Sequence, residues 1–108
     1  MTGYSSGVSG FIKLQRALLS WEYYSDSNTK CLFIHLLLCA AIYNTECCGF
    51  PIPRGSLLTT IPRLAAETGL SVQQVRTSLK KLENSGEIMQ HTTNKFRIIM
   101  LPNYDLWA

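Results

Sequence analysis

The chain has 108 residues, 46% of them hydrophobic and 16% charged. That length suits one domain with one core, and the balance excludes a chain kept disordered by its own charge. The formal net charge is +3. It is unevenly spread: residues 1–53 carry three cations and three anions, and residues 54–108 carry seven cations and four anions. All of the excess positive charge therefore belongs to the second half.

Residues 1–10 are rich in Gly and Ser and show no signal-peptide pattern. They read as a flexible leader, with residues 11–108 as the domain. Residues 11–14 fit a short strand or the start of a helix. Leu14, Leu18 and Trp21 then recur at helical spacing, which predicts a first helix over residues 14–24. Asp26-Ser27-Asn28-Thr29 offers several N-caps for the next helix, over residues 30–43. That segment, CLFIHLLLCAAIY from Cys31 onward, is apolar on nearly every side. It is shorter than the roughly 20 residues a membrane helix needs, so it belongs in the middle of a core and no membrane partner is expected.

The four cysteines are Cys31, Cys39, Cys47 and Cys48. They lack the paired spacing of a zinc site, so no metal is expected. Cys31 and Cys39 read as small core residues, and free thiols fit a reducing cytoplasm.

Residues 44–55 are turn-rich and lead into a short strand over residues 56–59. Thr60 caps a helix with Pro62 in its first turn, Leu64, Ala65 and Ala66 on its buried side, and Gly69 as its stop. Ser71 and Gln74 form a capping box for a helix over residues 72–85, which ends at Gly86. Residues 88–93 and 95–101 read as two strands joined through Asn94, with Phe96, Ile98 and Met100 on one face of the second and Arg97, Ile99 and Leu101 on the other. Tyr104, Leu106 and Trp107 form an apolar tail that packs back on the domain. Helix, glycine turn, helix and hairpin in this order predict an α+β, mostly α fold: a winged helix-turn-helix of three or four helices, with a small β-sheet that includes a C-terminal hairpin wing.

At about 100° per residue, Val72, Val75, Leu79 and Leu82 share the core side of the helix over 72–85. Gln73, Thr77, Lys80, Lys81 and Asn84 lie opposite, flanked by Gln74 and Arg76. DNA binding needs cations for phosphates and flat amide or guanidinium groups for base edges. Ser71, Gln73, Gln74, Arg76, Thr77, Lys80 and Lys81 are therefore candidate nucleic-acid contacts, with the helix in the major groove. At the hairpin tip His91, Thr93, Asn94 and Lys95 are candidates for backbone contact. The bland alternatives are a solvated helix face and a plain polar hairpin.

Enzyme chemistry is not expected: no carboxylate pair, nucleophile motif or phosphate-binding glycine loop is present. His35, in the apolar helix, reads as a satisfied core or edge histidine. No cofactor is expected.

Three segments carry a family resemblance: GFIKLQRALLSWEYYSDSNTKCLFIHLLLCA, PRGSLLTTIPRLAAETGLSVQQVRTSLKKLENSGEI and TTNKFRIIMLPNYDLW. Together they cover residues 10–107. They resemble the winged-helix N-terminal domain of DnaD-like and phage-type replication initiation proteins. The resemblance implies a cytoplasmic DNA-binding module of primosome-type replication initiation, encoded by a phage, mobile element or bacterium and forming the N-terminal part of a longer protein type. It implies double-stranded DNA, a helicase or its loader, and a homodimer or higher oligomer as partners. Phe11, Ile12, Trp21, Tyr23 and Tyr24 match the region through which that family self-associates, and ordinary core packing is the alternative for them. The competing functions are an oligomerisation or protein-interaction module and a small transcriptional regulator.

Overall fold

A computed structural model of the chain describes residues 10–108, so the leader expected over residues 1–10 lies, except for Gly10, outside the described residues. The first element is not the helix expected over residues 14–24, nor is there a strand or helix over residues 11–14. A single 3-10 turn, Arg16–Ser20, takes that place. Successive i→i+3 bonds continue past it, from Leu18 N–H to Gln15, Trp21 N–H to Leu18 and Tyr24 N–H to Trp21, each 3.0 Å. A period of three aligns every third side chain. Leu18, Trp21 and Tyr24 thus meet the core together, while Leu14 is left exposed.

Helix α1 spans Ser27–Cys39 and is capped by Asp26, whose carboxylate accepts the Thr29 N–H at 3.2 Å. It buries Thr29, Leu32, Phe33, Leu36 and Leu37. It is not buried on every side, however. Leu38 is exposed, and so are Cys31 and Cys39, which corrects the expectation that these two thiols are core residues. Cys31 lies off the buried stripe, and Cys39 lies at its edge beside His35.

The turn-rich region contains an unforeseen hairpin, β1 (Thr45–Cys47) paired antiparallel with β2 (Phe50–Ile52). Its two-residue connection, Cys48-Gly49, has positive φ at both positions, 53° and 82°, as a type I′ turn demands.

Strand β3 spans Ser56–Thr59. Gly55 just before it has φ +82°, and a Cβ there would stand 2.8 Å from the Cβ of Tyr104. Only glycine fits both the backbone angle and the space.

Helix α2 spans Ile61–Thr68, with the Thr60 hydroxyl capping Arg63 N–H, proline in the first turn and Gly69 in the left-handed region at φ 78°. It buries Ile61 and Leu64; Ala65 is half-buried and Ala66 faces solvent. Helix α3 spans Val72–Asn84 and both bonds of its capping box are present, Gln74 N–H to Ser71 Oγ at 3.1 Å and Ser71 N–H to Gln74 Oε1 at 2.9 Å. It buries Val75, Ser78, Leu79 and Leu82. Val72, expected on the core side, is 42% exposed. It belongs to the first turn, at the edge of the buried stripe, and Ser78 takes up the contact with α1.

Strands β4 (Met89–Thr92) and β5 (Arg97–Met100) close the fold with a three-stranded antiparallel sheet of order β3-β5-β4. Central β5 aligns Ile99 with Leu57 and Gln90, and Arg97 with Thr59 and Thr92. A short helix α4, Tyr104–Trp107, returns to the N-terminal segment. There Lys13 N–H bonds the Trp107 carbonyl and Gln15 Nε2 bonds that of Leu106. Tyr104 and Trp107 pack on the core as expected, but Leu106 is exposed.

Among the described residues the architecture is thus an α+β fold of four helices and two small antiparallel sheets. One core joins α1, α2 and α3 to the inner face of the larger sheet. Full burial of each large aliphatic chain there contributes about 1.5–3 kcal/mol. No helix among the described residues is long and apolar enough to cross a membrane.

Candidate nucleic-acid interface

The second half of the chain holds seven cations, and the fold divides them. Three are paired. Arg54 bonds Asp105 at 3.0 Å and the Ile42 carbonyl at 2.6 Å, and its guanidinium lies over the Tyr104 ring. Arg63 pairs with Glu67 one turn along α2 at 3.3 Å. Lys81 pairs with Asp26 at 2.6 Å. The other four, Arg76, Lys80, Lys95 and Arg97, form no ion pair with any described residue. All four stand on α3 or on the β4–β5 hairpin.

Their placement follows from the elements. The capping box and Gly86 fix where α3 begins and ends, and its buried stripe of Val75, Ser78, Leu79 and Leu82 turns Gln73, Arg76, Thr77 and Lys80 to solvent. Gln73 Nε2 lies 3.4 Å from Thr77 Oγ1, so these two share the outer face one turn apart. Arg76 and Lys80 line a shallow cleft of about 240 Å³ between α3 and the hairpin, with Gln90 and Arg97 on its far side. Arg97 Nη1 donates to Gln90 Oε1 at 2.9 Å, which holds the guanidinium toward α3. Glu83 is the acid lining this cleft. A second cleft, about 210 Å³, runs from Arg76 and the start of α2 to Lys95 at the hairpin tip.

Several expected contacts are used otherwise. Lys81 differs from the expectation in its charge: it lines a shallow cleft with Gln73 and Thr77, but its ammonium is held by Asp26 at the N-terminus of α1. The Lys81 ammonium, followed by the Thr29 N–H, keeps the Asp26 carboxyl below the ordinary carboxylate value. Ser71 Oγ and Gln74 Oε1 each accept a backbone N–H in the cap, which leaves the Ser71 hydroxyl proton and the Gln74 amide nitrogen as donors for an outside partner. Thr93 Oγ1 closes the hairpin turn against the N–H and carbonyl of Phe96. His91, Asn94 and Lys95 remain exposed at the tip. Arg97 is the residue that sequence reasoning left undecided, as added charge for the hairpin only if its strand face turned the right way. Strand alternation gave it two faces to choose from, and only the sheet order decides which one meets α3.

Of the aromatic N-terminal group, Ile12, Trp21 and Tyr24 pack on the core. Tyr23 meets Trp21 edge-on with ring centroids 5.5 Å apart, and Phe11 is 82% exposed.

A His–Cys–Glu group also comes together at the α1–α2 contact. His35 Nε2 lies 3.2 Å from Glu67 Oε1 and 3.4 Å from Cys39 Sγ. Cys39 Sγ also lies 3.8 Å from His35 Nδ1, so the thiol stands beside both ring nitrogens while Glu67 meets Nε2 alone. Burial, reinforced by the Glu67 carboxylate, pushes the Cys39 thiol up and keeps it protonated, the reverse of an activated nucleophile. Glu67 itself is raised by burial, but hydrogen bonds from His35 and Arg63 outweigh this and lower it. The group is a polar clasp between two helices. Among the described residues no cluster of three or more His, Cys, Asp or Glu side chains is arranged to hold a metal ion.

In comparisons with known proteins the chain matches no family model, no curated protein and no solved structure.

Proposed function

We propose that the chain is a winged-helix DNA-binding domain of the cytoplasm, in which α3 enters the major groove of a duplex and the β4–β5 hairpin is the wing resting on adjoining backbone. The observation that carries this reading is the distribution of charge: among the described residues seven cations form no ion pair, and four of them, Arg76, Lys80, Lys95 and Arg97, stand together on α3 and the hairpin, while Lys13, Arg16 and Lys30 lie on the N-terminal segment and α1. Arg76, Lys80 and Arg97 supply counter-charge for phosphates, and Gln73 and Thr77 supply the donors, acceptors and methyl group that read base edges. The connectivity supports the same reading, since α1, β3, α2, α3 and a hairpin whose last strand is central follow the winged-helix order. The role in replication initiation, with a helicase or loader as partner, rests on the sequence resemblance.

The test is fluorescence anisotropy with a labelled random-sequence duplex, titrated at low and moderate salt. Log K should fall linearly with log salt, by about 0.9 per phosphate neutralised. Arg76→Ala with Lys80→Ala should flatten that slope by about 2 and weaken low-salt binding at least about tenfold. Lys81→Ala should stay close to the parent. Gln73→Ala should alter base preference more than slope. A folded sample that shows no salt-sensitive binding would sink the reading.

A second reading, self-association, is favoured by the exposed apolar side chains Phe11, Leu38 and Ile42, which line one cleft of about 220 Å³ beside Tyr104. Sedimentation of Leu38→Ser against the parent decides it: a concentration-dependent dimer lost in the variant favours association.

A further inference from the structure

Another cleft, of about 250 Å³, opens where the 3-10 turn, α1, α4 and the loop after Gly86 meet. Its walls are Leu18, Trp21, Phe33, Leu106 and Trp107. Both tryptophans of the chain are among them. Each indole packs on Phe33, with ring centroids 4.9 Å apart for Trp21 and 5.7 Å for Trp107. One carboxylate, Glu87, joins this aromatic lining. It is half-buried and forms no ion pair with any described residue. Burial, and then the like charge of Glu22, push its carboxyl above the ordinary value.

These features select a ligand class by elimination. An anion would meet the Glu87 carboxylate. A neutral apolar molecule would fill the aromatic space but remove water from a carboxylate without a partner, a costly exchange. A bare metal ion seeks several oxygen ligands and gains little from indole walls. An organic cation satisfies both parts. Its charge is attracted by the faces of tryptophan and by a carboxylate, and its alkyl groups fill apolar space. The volume lies just below the roughly 300–1,000 Å³ of drug-sized sites, so the ligand is small. We propose that this cleft binds a small organic cation, an alkyl- or quaternary ammonium held between Trp21 and Trp107 over the buried Phe33, with its charge toward Glu87. None of the lining residues belongs to α3 or to the β4–β5 hairpin, so the site stands independently of the DNA-binding reading.

Because the only two tryptophans line the cleft, their emission reports on occupancy directly. The full chain would be titrated with tetramethylammonium, choline and phenyltrimethylammonium, and with 3,3-dimethylbutan-1-ol as the neutral counterpart of choline. Tryptophan emission and calorimetry would both be followed. A saturable response to at least one cation is expected, with the neutral alcohol at least about tenfold weaker than choline if choline is the cation bound. Glu87→Gln should weaken the cation about tenfold while raising thermal stability at neutral pH, because it removes a carboxylate that burial disfavours. Trp107→Ala supplies a second check, provided its circular dichroism stays that of the parent. Lys80→Ala should bind as the parent does. The proposal is overturned if no cation gives a saturable response at millimolar concentration, if the alcohol binds as tightly as choline, or if Glu87→Gln leaves the affinity unchanged.

Discussion

Helices α1 and α3 are each 13 residues long, each begins with a side-chain oxygen accepting a backbone N–H, and the two pack against one another. Their chemistry is nevertheless opposite. In α1 the stripe Leu32, Phe33, Leu36 and Leu37 is spent on the core, although Leu38 is exposed; Asp26, Thr29 and His35 bond to other parts of the fold or its own cap, and Lys30 lies over the Tyr24 ring. In α3 only Val75, Ser78, Leu79 and Leu82 are buried, and Arg76 and Lys80 have no acidic partner among the described residues. A helix that must hold a fold together uses its groups internally. One that keeps cations free on a fixed surface has capacity for an outside partner, and this difference is what the proposed function rests on.

The comparison can be broken by stability measurements. Leu36 of α1 is fully buried, so Leu36→Ala should cost about 2–5 kcal/mol in a denaturant melt. Arg76→Ala, on the outer face of α3, should stay within about 0.5 kcal/mol of the parent. If the two losses were similar, the outer face of α3 would be structural and the division between the helices would be wrong.

A middle-sized effect sits at the contact itself. Thr29 Oγ1 donates to Ser78 Oγ at 3.1 Å, and both residues are buried. Ser78→Ala leaves that donor without its acceptor and should cost about 1–3 kcal/mol. Thr29→Val with Ser78→Ala removes both polar groups and should cost less than the two single changes added together. Simple additivity would mean that the helices are held by apolar packing alone and that the hydroxyl pair adds nothing.

What the sequence made legible follows from range. The α2–Gly69–α3 unit, its caps, strand β3 and the final hairpin were readable because a capping box, a left-handed glycine and a change of period act over a few residues. The turn over Arg16–Ser20 was misread as a helix because a period of three and a period of 3.6 look alike across Leu14, Leu18 and Trp21, and only the shape of the core selects between them. The β1–β2 hairpin escaped because a cysteine, not an asparagine or glycine, takes the first positive φ of its turn. At the candidate site the outer face of α3 was legible from its wheel. The sign of Lys81 was not, since the acid that neutralises it is 55 positions away in the chain. Arg97 was hidden for the same reason, its neighbours on α3 being set by tertiary packing.

The smallest effect concerns that ion pair. Asp26 has two roles, capping α1 through Thr29 N–H and holding Lys81, and substitutions separate them. Asp26→Ala removes both and should cost about 0.5–2 kcal/mol, mostly from the cap. Asp26→Asn keeps a good cap but loses the charge, and since both partners are partly exposed to solvent it should cost at most about 1 kcal/mol. The dependence on pH identifies the charge. Lys81 and the Thr29 N–H hold the carboxyl below its ordinary value of 3.8, so the unfolded chain takes up its proton first as pH falls. The stabilisation is therefore complete above about pH 4 and is lost as pH drops through the lower folded value. The difference between the parent and Asp26→Asn should be flat from neutral pH to the ordinary carboxylate range and then disappear. A difference that survives well below that range would come from amide geometry at the cap and not from charge. Lys81 would then be electrostatically free, and its exclusion from the DNA-facing set would have to be withdrawn.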